Sequence, residues 1–262
     1  MKRRTLVLLG LAVFVASAAF LAPANVLHGW LATRLAANGV QLSGVDGSVS
    51  RGRVAQVGLN GNLLVRDLDW TMRRWHLLLG RASFALAGGR DGTLVDGTAS
   101  VLLSGALDLT DFRLALPVQQ GFAAAGYPFV PVQGQLGLDL EHLKLREGWP
   151  DKGKGTLAVR GLAWKLGREP VPLGDYEAVL DEELGGVKAD VRTLGGTLEV
   201  TGKGHLGADR RYELHLQMRP KPNAPPMVQN LVRNLGQPDA QGWYHLRRNG
   251  VAQPAAGTGP LP

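Results

Sequence analysis

The sequence predicts an all-β protein: an amino-terminal transmembrane helix followed by two duplicated antiparallel β-sheet units. Short runs that alternate apolar and polar residues recur roughly every eight to twelve residues. Glycine accounts for 36 of the 262 residues and separates these runs without a collagen-like period. A ten-residue pattern also occurs twice. Together these observations favour a curved, partly open sheet or a sandwich, with one short helix near the carboxyl terminus.

The amino terminus reads as a membrane anchor. Lys2, Arg3 and Arg4 precede an uncharged apolar run, Thr5–Ala22, which would span roughly 27 Å as a helix. We interpret residues 1–25 as a cytoplasmic tip and a single transmembrane span, and residues 26–40 as a juxtamembrane helix extension. The three basic residues set the topology, with the amino terminus in the cytoplasm. The anchor positions are Thr5, Leu6, Leu9, Val13, Phe14, Phe20, Leu21 and Ala22.

A cleaved signal peptide is the alternative for the same segment. A basic start, an apolar run and the small residues of Ala22-Pro23-Ala24 fit that plan as well. In either case the residues after about position 25 lie on the far side of the membrane.

From Gln41 onward the periodicity is that of strands. Residues 41–116 form a first β unit, 117–133 a linker rich in Pro and Gly, and 134–248 a second β unit. Pro226 and Gly236 bound a short helix over Met227–Leu235. Residues 249–262 are predicted to be a disordered tail. The predicted strands are Val49–Val57, Leu63–Trp70, Ala82–Ala87, Gly97–Leu103, Ala106–Leu114, Gly134–Leu145, Gly155–Trp164, Asp175–Leu180, Gly186–Thr193, Gly196–Gly204, Tyr212–Met218 and Gly242–Arg247.

The repeated pattern is G-x-L-x-V-R-x-L-x-W, found at Gly61–Trp70 and at Gly155–Trp164. A Leu-Gly pair follows each Trp at the same distance, as Leu79-Gly80 and as Leu173-Gly174. We interpret this echo as one β unit used twice, and we expect both tryptophans to be largely buried. The repeated structural positions are Gly61, Val65, Leu68 and Trp70 in the first copy, and Gly155, Val159, Leu162 and Trp164 in the second.

Charge and composition argue against several functions. The net charge is +7, but the basic residues are mostly single and separated by apolar positions, with no run interleaved with aromatic residues, which does not favour nucleic-acid binding. There is no cysteine, so disulfides and thiolate chemistry are excluded. The six histidines show no metal-ligand spacing, and no nucleophile motif or dinucleotide fingerprint is present. We therefore expect no enzyme, no cofactor and no metal, and we interpret the acidic group Asp181–Glu183 as a solvated turn without obvious partners.

Several short motifs occur in an order that resembles the type II secretion system protein N (GspN) family. The resemblance covers essentially residues 1 to 250. The motifs are Asp46-Gly47-Ser48-Val49, Leu68-x-Trp70, Leu114-Ala115-Leu116-Pro117, Leu173-Gly174-x-Tyr176, Gly196-Thr197-Leu198 and Leu235-Gly236-x-Pro238-Asp239-x-x-Gly242.

This resemblance implies an accessory, non-enzymatic inner-membrane component of the general secretion pathway, with a periplasmic β-domain that contacts other secretion components. A different function remains open, which is a membrane-anchored periplasmic module that binds or transfers lipid in a β-groove. A secreted β-domain released by signal cleavage is a third interpretation. The sequence leaves the oligomeric state open.

Overall fold

The computed structural model describes Ala36 and residues 39–165 and 169–251. These residues form one 13-stranded sheet in which each strand pairs, antiparallel, with its neighbours in the sequence. The strands are β1 Val40–Gly47, β2 Arg51–Leu59, β3 Asn62–Met72, β4 Arg81–Gly88, β5 Leu94–Leu102, β6 Leu107–Pro117, β7 Val132–Arg146, β8 Trp149–Trp164, β9 Val171–Glu183, β10 Gly186–Gly196, β11 Leu198–Gly207, β12 Arg211–Pro220 and β13 Tyr244–Val251.

Tight turns produce this meander. Asn60 and Gly61 join β2 to β3 with φ angles of 51° and 78°, the left-handed values that a two-residue hairpin turn requires. Loops this short return the chain beside the strand it has just left, so neighbouring strands are antiparallel.

A β-bulge bends the sheet between β5 and β6. The pairing register shifts between Asp96 and Thr98, and Asp111 adopts a left-handed φ of 49°. A β-carbon at Gly97 would lie 2.6 Å from the Cα of Phe112, so the two backbones approach more closely than a side chain allows. Bulges of this kind increase the local twist. Further register shifts in β7, β8 and β10 make the long sheet curve rather than lie flat.

The two faces of the sheet differ in chemistry. The register places Leu138, Leu157 and Ala178 on one face of β7, β8 and β9, because side chains alternate along each strand. On the opposite face Arg113 pairs with Asp139 across β6 and β7, with 3.5 Å between nitrogen and oxygen. One face is therefore apolar and the other carries cross-strand ion pairs.

Helix α2, Pro226–Arg233, covers the apolar face near the carboxyl terminus. Its Val228 and Val232 are each only 1% exposed and pack with Leu173 of β9 and Leu198 of β11. Pro226 begins the helix at a position that needs no backbone donor. This is the main buried cluster, and it ties strands from β9 to β13 together.

Helix α1, Val118–Ala124, covers the apolar face between β6 and β7. Leu116, Val118 and Ala124 are buried there. The side-chain amides of Asn60 and Asn62 donate to the carbonyls of Ala124 and Ala123, at 2.8 and 2.9 Å. These bonds satisfy the free carbonyls at the helix end and hold the β2–β3 turn against α1.

The all-β prediction is confirmed, and the sheet is open and continuous rather than a sandwich. The sequence interpretation missed helix α1, because its Pro- and Gly-rich surroundings read as a linker. β8 begins at Trp149, six residues before the predicted strand Gly155–Trp164, since Glu147 and Gly148 already reverse the chain. β13 also runs into the predicted tail, as far as Val251.

The predicted anchor, Thr5–Ala22, and the topology-setting Lys2, Arg3 and Arg4 lie outside the described residues. Within residues 39–165 and 169–251, no helix has the length and apolar character that crossing a membrane requires.

The core under α2 gives a stability prediction. We expect Val228→Ala to lower the free energy of unfolding by about 2–3 kcal/mol, because it removes two buried methyl groups and leaves a cavity. Urea titration followed by tryptophan fluorescence measures this loss. Val101→Ala, at an exposed position of β5, is the matched control and should change stability by less than about 0.5 kcal/mol. Equal losses in the two variants would contradict the assignment of the core.

Candidate functional site

A concavity of about 840 Å³ lies on the polar face of β10 to β13. The register places Asp190, Lys203, His215 and Arg247 side by side, one on each of the four strands. Directly opposed residues in antiparallel strands have β-carbons about 5 Å apart. The concavity is therefore crossed by a row of charged and polar side chains.

In this concavity, which we call the trough, some charged side chains form ion pairs and others do not. His205 contacts Glu183 at 2.8 Å, and Lys188 contacts Asp181 at 3.6 Å. Among the described residues, neither Lys203 nor Arg247 forms an ion pair. The described residues contain no grouping of three or more His, Asp or Glu side chains that could hold a metal ion. The trough therefore offers charged side chains to a partner and is not an apolar groove.

The carboxylates of the acidic group Asp181–Glu183 contact basic side chains, which the sequence did not suggest. Glu182 contacts His142 of β7 at 2.7 Å, while Asp181 and Glu183 make the two pairs described above. The sequence interpretation of these carboxylates as lacking obvious partners was wrong, because the strand register brings Lys188 of β10 to Asp181, and His142 and His205, each two strands away from β9, to Glu182 and Glu183. They are surface ion pairs, and each contributes little to the free energy of unfolding.

A smaller, more apolar concavity of about 290 Å³ lies beside helix α2. Trp164, Leu173 and Met227 line it. The side chain of Trp164 also packs against the buried cluster under α2.

Trp70 and Trp164, the repeated tryptophans, are both half-buried but have different surroundings. The indole N–H of Trp70 donates to the carbonyl of Val49 at 3.1 Å, and its ring lies over Gly52 of β2. Trp164 instead ends β8 and faces α2.

The other repeated positions also differ between the copies. Gly61 lies in a hairpin turn, whereas Gly155 lies within β8, where Leu140 and Leu180 flank it on the neighbouring strands. Val65 is buried, whereas Val159, Leu68 and Leu162 are partly exposed. One conformational feature is shared, since the seventh residue of each decapeptide has a left-handed φ: 53° at Asp67 and 59° at Gly161.

The sheet has two edge strands with unlike composition. β1, Val40–Gly47, carries a single charged residue, Asp46, and no lysine, arginine or proline. β13 carries Arg247 and Arg248 next to each other. Basic side chains on an edge strand discourage pairing with another chain, so β1 is the less protected edge.

Comparison with known proteins gives a consistent result. Residues 38–247 match the family model described as type II secretion system (T2SS), protein N. The chain is 29% identical over 228 residues to type II secretion system protein N of Vibrio cholerae serotype O1, covering 81% of this chain and 85% of that protein. It is 30% identical over 216 residues to type II secretion system protein N of Aeromonas hydrophila, with the same coverage. No solved structure matches the chain.

Tyr176 is a buried polar residue that the sequence interpretation did not single out as a site. Its hydroxyl donates to the carbonyl of Leu198 at 3.0 Å, joining β9 to β11. Burial, with a smaller contribution from the nearby charge of Asp175, raises the pKa of Tyr176 well above its ordinary value. The folded protein therefore favours the neutral phenol.

This raised pKa gives a pH prediction. The unfolded chain ionises Tyr176 at about pH 10, so its stabilising contribution is present below that pH and is lost as the pH rises through the higher folded pKa. Between about pH 9 and about pH 11, the free energy of unfolding should fall less steeply for Tyr176→Phe than for the unmodified chain. The difference between the two slopes is up to about 1.4 kcal/mol per pH unit. At neutral pH the variant should be less stable by about 1 kcal/mol, because it lacks the hydrogen bond to Leu198.

Urea titrations at neutral pH, at about pH 9 and at about pH 11 measure the loss of the hydrogen bond and the change in alkaline slope. Tyr127→Phe, at an exposed position, is the control and should keep the alkaline slope of the unmodified chain. If Tyr176→Phe also kept that slope, Tyr176 would not be the group responsible.

Proposed function

Because the chain belongs to the type II secretion system protein N family, we propose that it is an accessory, non-enzymatic component of type II protein secretion. The observation that carries this proposal is the extent of the family match. Residues 38–247 include β1 to β12 and the first half of β13, so the match concerns nearly the whole sheet and not a local motif. The ion-paired acidic group and the scattered histidines also support a role in binding rather than in catalysis.

The proposal extends to the location of the chain. Residues 1–25 anchor the protein in the bacterial inner membrane, and the sheet occupies the periplasm. The uncharged run Thr5–Ala22 and the three basic residues before it support this arrangement.

The proposed contact with other secretion components uses β1. An edge strand offers unpaired backbone donors and acceptors to an incoming strand, and the absence of lysine, arginine and proline from β1 leaves it open to such pairing. Main-chain hydrogen bonds would provide the affinity, and the exposed side chains of Gln41 and Ser43 the specificity.

A lipid-carrying groove is less well supported. The larger concavity is lined by Lys188, Asp190, Lys203 and other polar residues, which do not suit acyl chains. The apolar concavity beside α2, at about 290 Å³, is at the lower limit for a small-molecule pocket.

The first test concerns anchoring. In cells lacking the chain, we expect the full-length chain to restore secretion, and a version without residues 1–24, exported by a foreign cleavable signal, to fail. The physical reason is that an unanchored sheet is diluted through the compartment instead of being held beside its partners. The measurement is the amount of secreted protein in the medium.

Fusion of the truncated chain to an unrelated transmembrane helix is the control for anchoring, and it should restore secretion. Full secretion with the unanchored version would refute the anchoring role. Full secretion in cells without any version of the chain would refute the accessory role in those conditions.

The second test concerns the edge. The chain has no cysteine, so single cysteines can carry a crosslinker without interference. In cells with the rest of the secretion machinery, we expect Ser43→Cys in β1 to crosslink to another secretion component, because a paired strand lies about 5 Å away. Asn249→Cys, an exposed position in β13, is the matched control. Crosslinks from β13 alone would move the contact to the other edge.

A further inference from the structure

The connection between β3 and β4 is longer than a chain reversal requires. Two residues suffice between β2 and β3, yet Arg73–Gly80 separate β3 from β4 and include the 3-10 helix Arg74–Leu79. We call residues 73–81 the β3–β4 knuckle. Its extra length serves something other than the turn.

The knuckle exposes large apolar side chains. Trp75 is 81% exposed, Leu78 79% and Leu79 70%. Leu103, in the neighbouring β5–β6 turn, is 91% exposed and lies beside the end of the 3-10 helix, since a β-carbon at Gly80 would be 3.1 Å from its Cδ1. A tryptophan and three leucines thus form an uncovered apolar cluster, which is unusual on a free surface.

The backbone holds this cluster in place. The N–H of Arg73 donates to the carbonyl of Ser83 at 2.8 Å, that of His76 to Arg73 at 3.1 Å, and that of Gly80 to Leu77 at 3.0 Å. Gly80 then ends the helix with a left-handed φ of 70°. The apolar side chains are therefore presented by an ordered helix and are not the result of an unstructured loop.

The charge along the knuckle and its flanking strands has one sign. Arg73 and Arg74 precede Trp75, and Arg81 follows Gly80, while residues 70–90 contain no aspartate or glutamate. A tryptophan and leucines bordered by arginines match the composition of elements that insert into the interface of anionic membranes. A phosphate-bearing surface complements both parts of the knuckle at once.

We propose that the β3–β4 knuckle docks on an anionic lipid surface. Trp75, Leu78, Leu79 and Leu103 enter the boundary between head groups and acyl chains, and the exposed Arg73 contacts the lipid phosphates. This contact goes beyond the proposed function, because it does not require β1 to bind a secretion component. It is also a contact with a membrane surface and not a groove that carries a lipid.

The test uses the full-length chain with one cysteine, Leu78→Cys, labelled with an environment-sensitive fluorophore. The labelled chain is incorporated into vesicles of phosphatidylcholine alone or of phosphatidylcholine with phosphatidylglycerol. We expect blue-shifted, more intense emission only where phosphatidylglycerol is present, with loss of the effect in high salt. Inorganic phosphate added to the neutral vesicles should change nothing, which separates a lipid surface from a free anion.

Leu184→Cys is the matched control. Leu184 is 103% exposed and lies in the β9–β10 turn, which is at the same end of the strands as the β3–β4 knuckle. Any membrane contact that results only from residues 1–25 would affect both labels equally. Adding Arg73→Gln to the Leu78→Cys chain should lower the ratio of docked to undocked emission about fivefold, as expected for one arginine at an anionic surface.

Two results would overturn the proposal. One is unchanged emission at position 78 in both kinds of vesicle, which would leave the knuckle to a protein partner. The other is an equal response at positions 78 and 184. Circular dichroism of each labelled chain checks that the sheet is retained.

Discussion

Backbone pairing within a single layer is the constraint on which the structure depends. Each strand from β2 to β12 pairs its backbone with the strand before it and the strand after it, whereas β1 and β13 pair on one side only. Among the described residues two edges are therefore left over, and no second sheet covers the apolar face. Helices α1 and α2 cover that face in two places, where Val118, Ala124, Val228 and Val232 are buried. The proposed interaction surface at β1 exists because no further strand covers that edge of the sheet.

Local patterns in the sequence predicted the strands well, because period-two alternation and glycine-rich turns are themselves local. Each of β2 to β13 overlaps a predicted strand, and α2 was identified from Pro226 and Gly236. Helix α1 was missed because its stability is not local: its end is bonded to Asn60 and Asn62, more than fifty positions earlier. The partners of Glu182 and Glu183 were missed for the same reason, since only the register of distant strands brings His142 and His205 to them.

The repeated decapeptide shows what similarity in sequence does and does not determine. The residue directly before Leu-x-Trp has a left-handed φ in both copies, at Asp67 and at Gly161, so the backbone conformation of the two copies is similar there. The surroundings are not kept. Leu173 is part of the buried cluster under α2, whereas the corresponding Leu79 belongs to the exposed knuckle. A repeat can thus preserve strand geometry while its side chains take different roles, because neighbours rather than the repeat itself decide what is buried.

The order of the strands in space is their order along the chain, and this has a consequence for how the protein is made. Each strand needs only its predecessor as a template, so pairing can proceed as the polypeptide emerges, amino terminus first, without waiting for distant segments. The docking of α1 against the β2–β3 turn is a later, longer-range step. Folding can therefore keep pace with the emergence of the polypeptide, and strand edges that would promote aggregation are each exposed only until the next strand arrives.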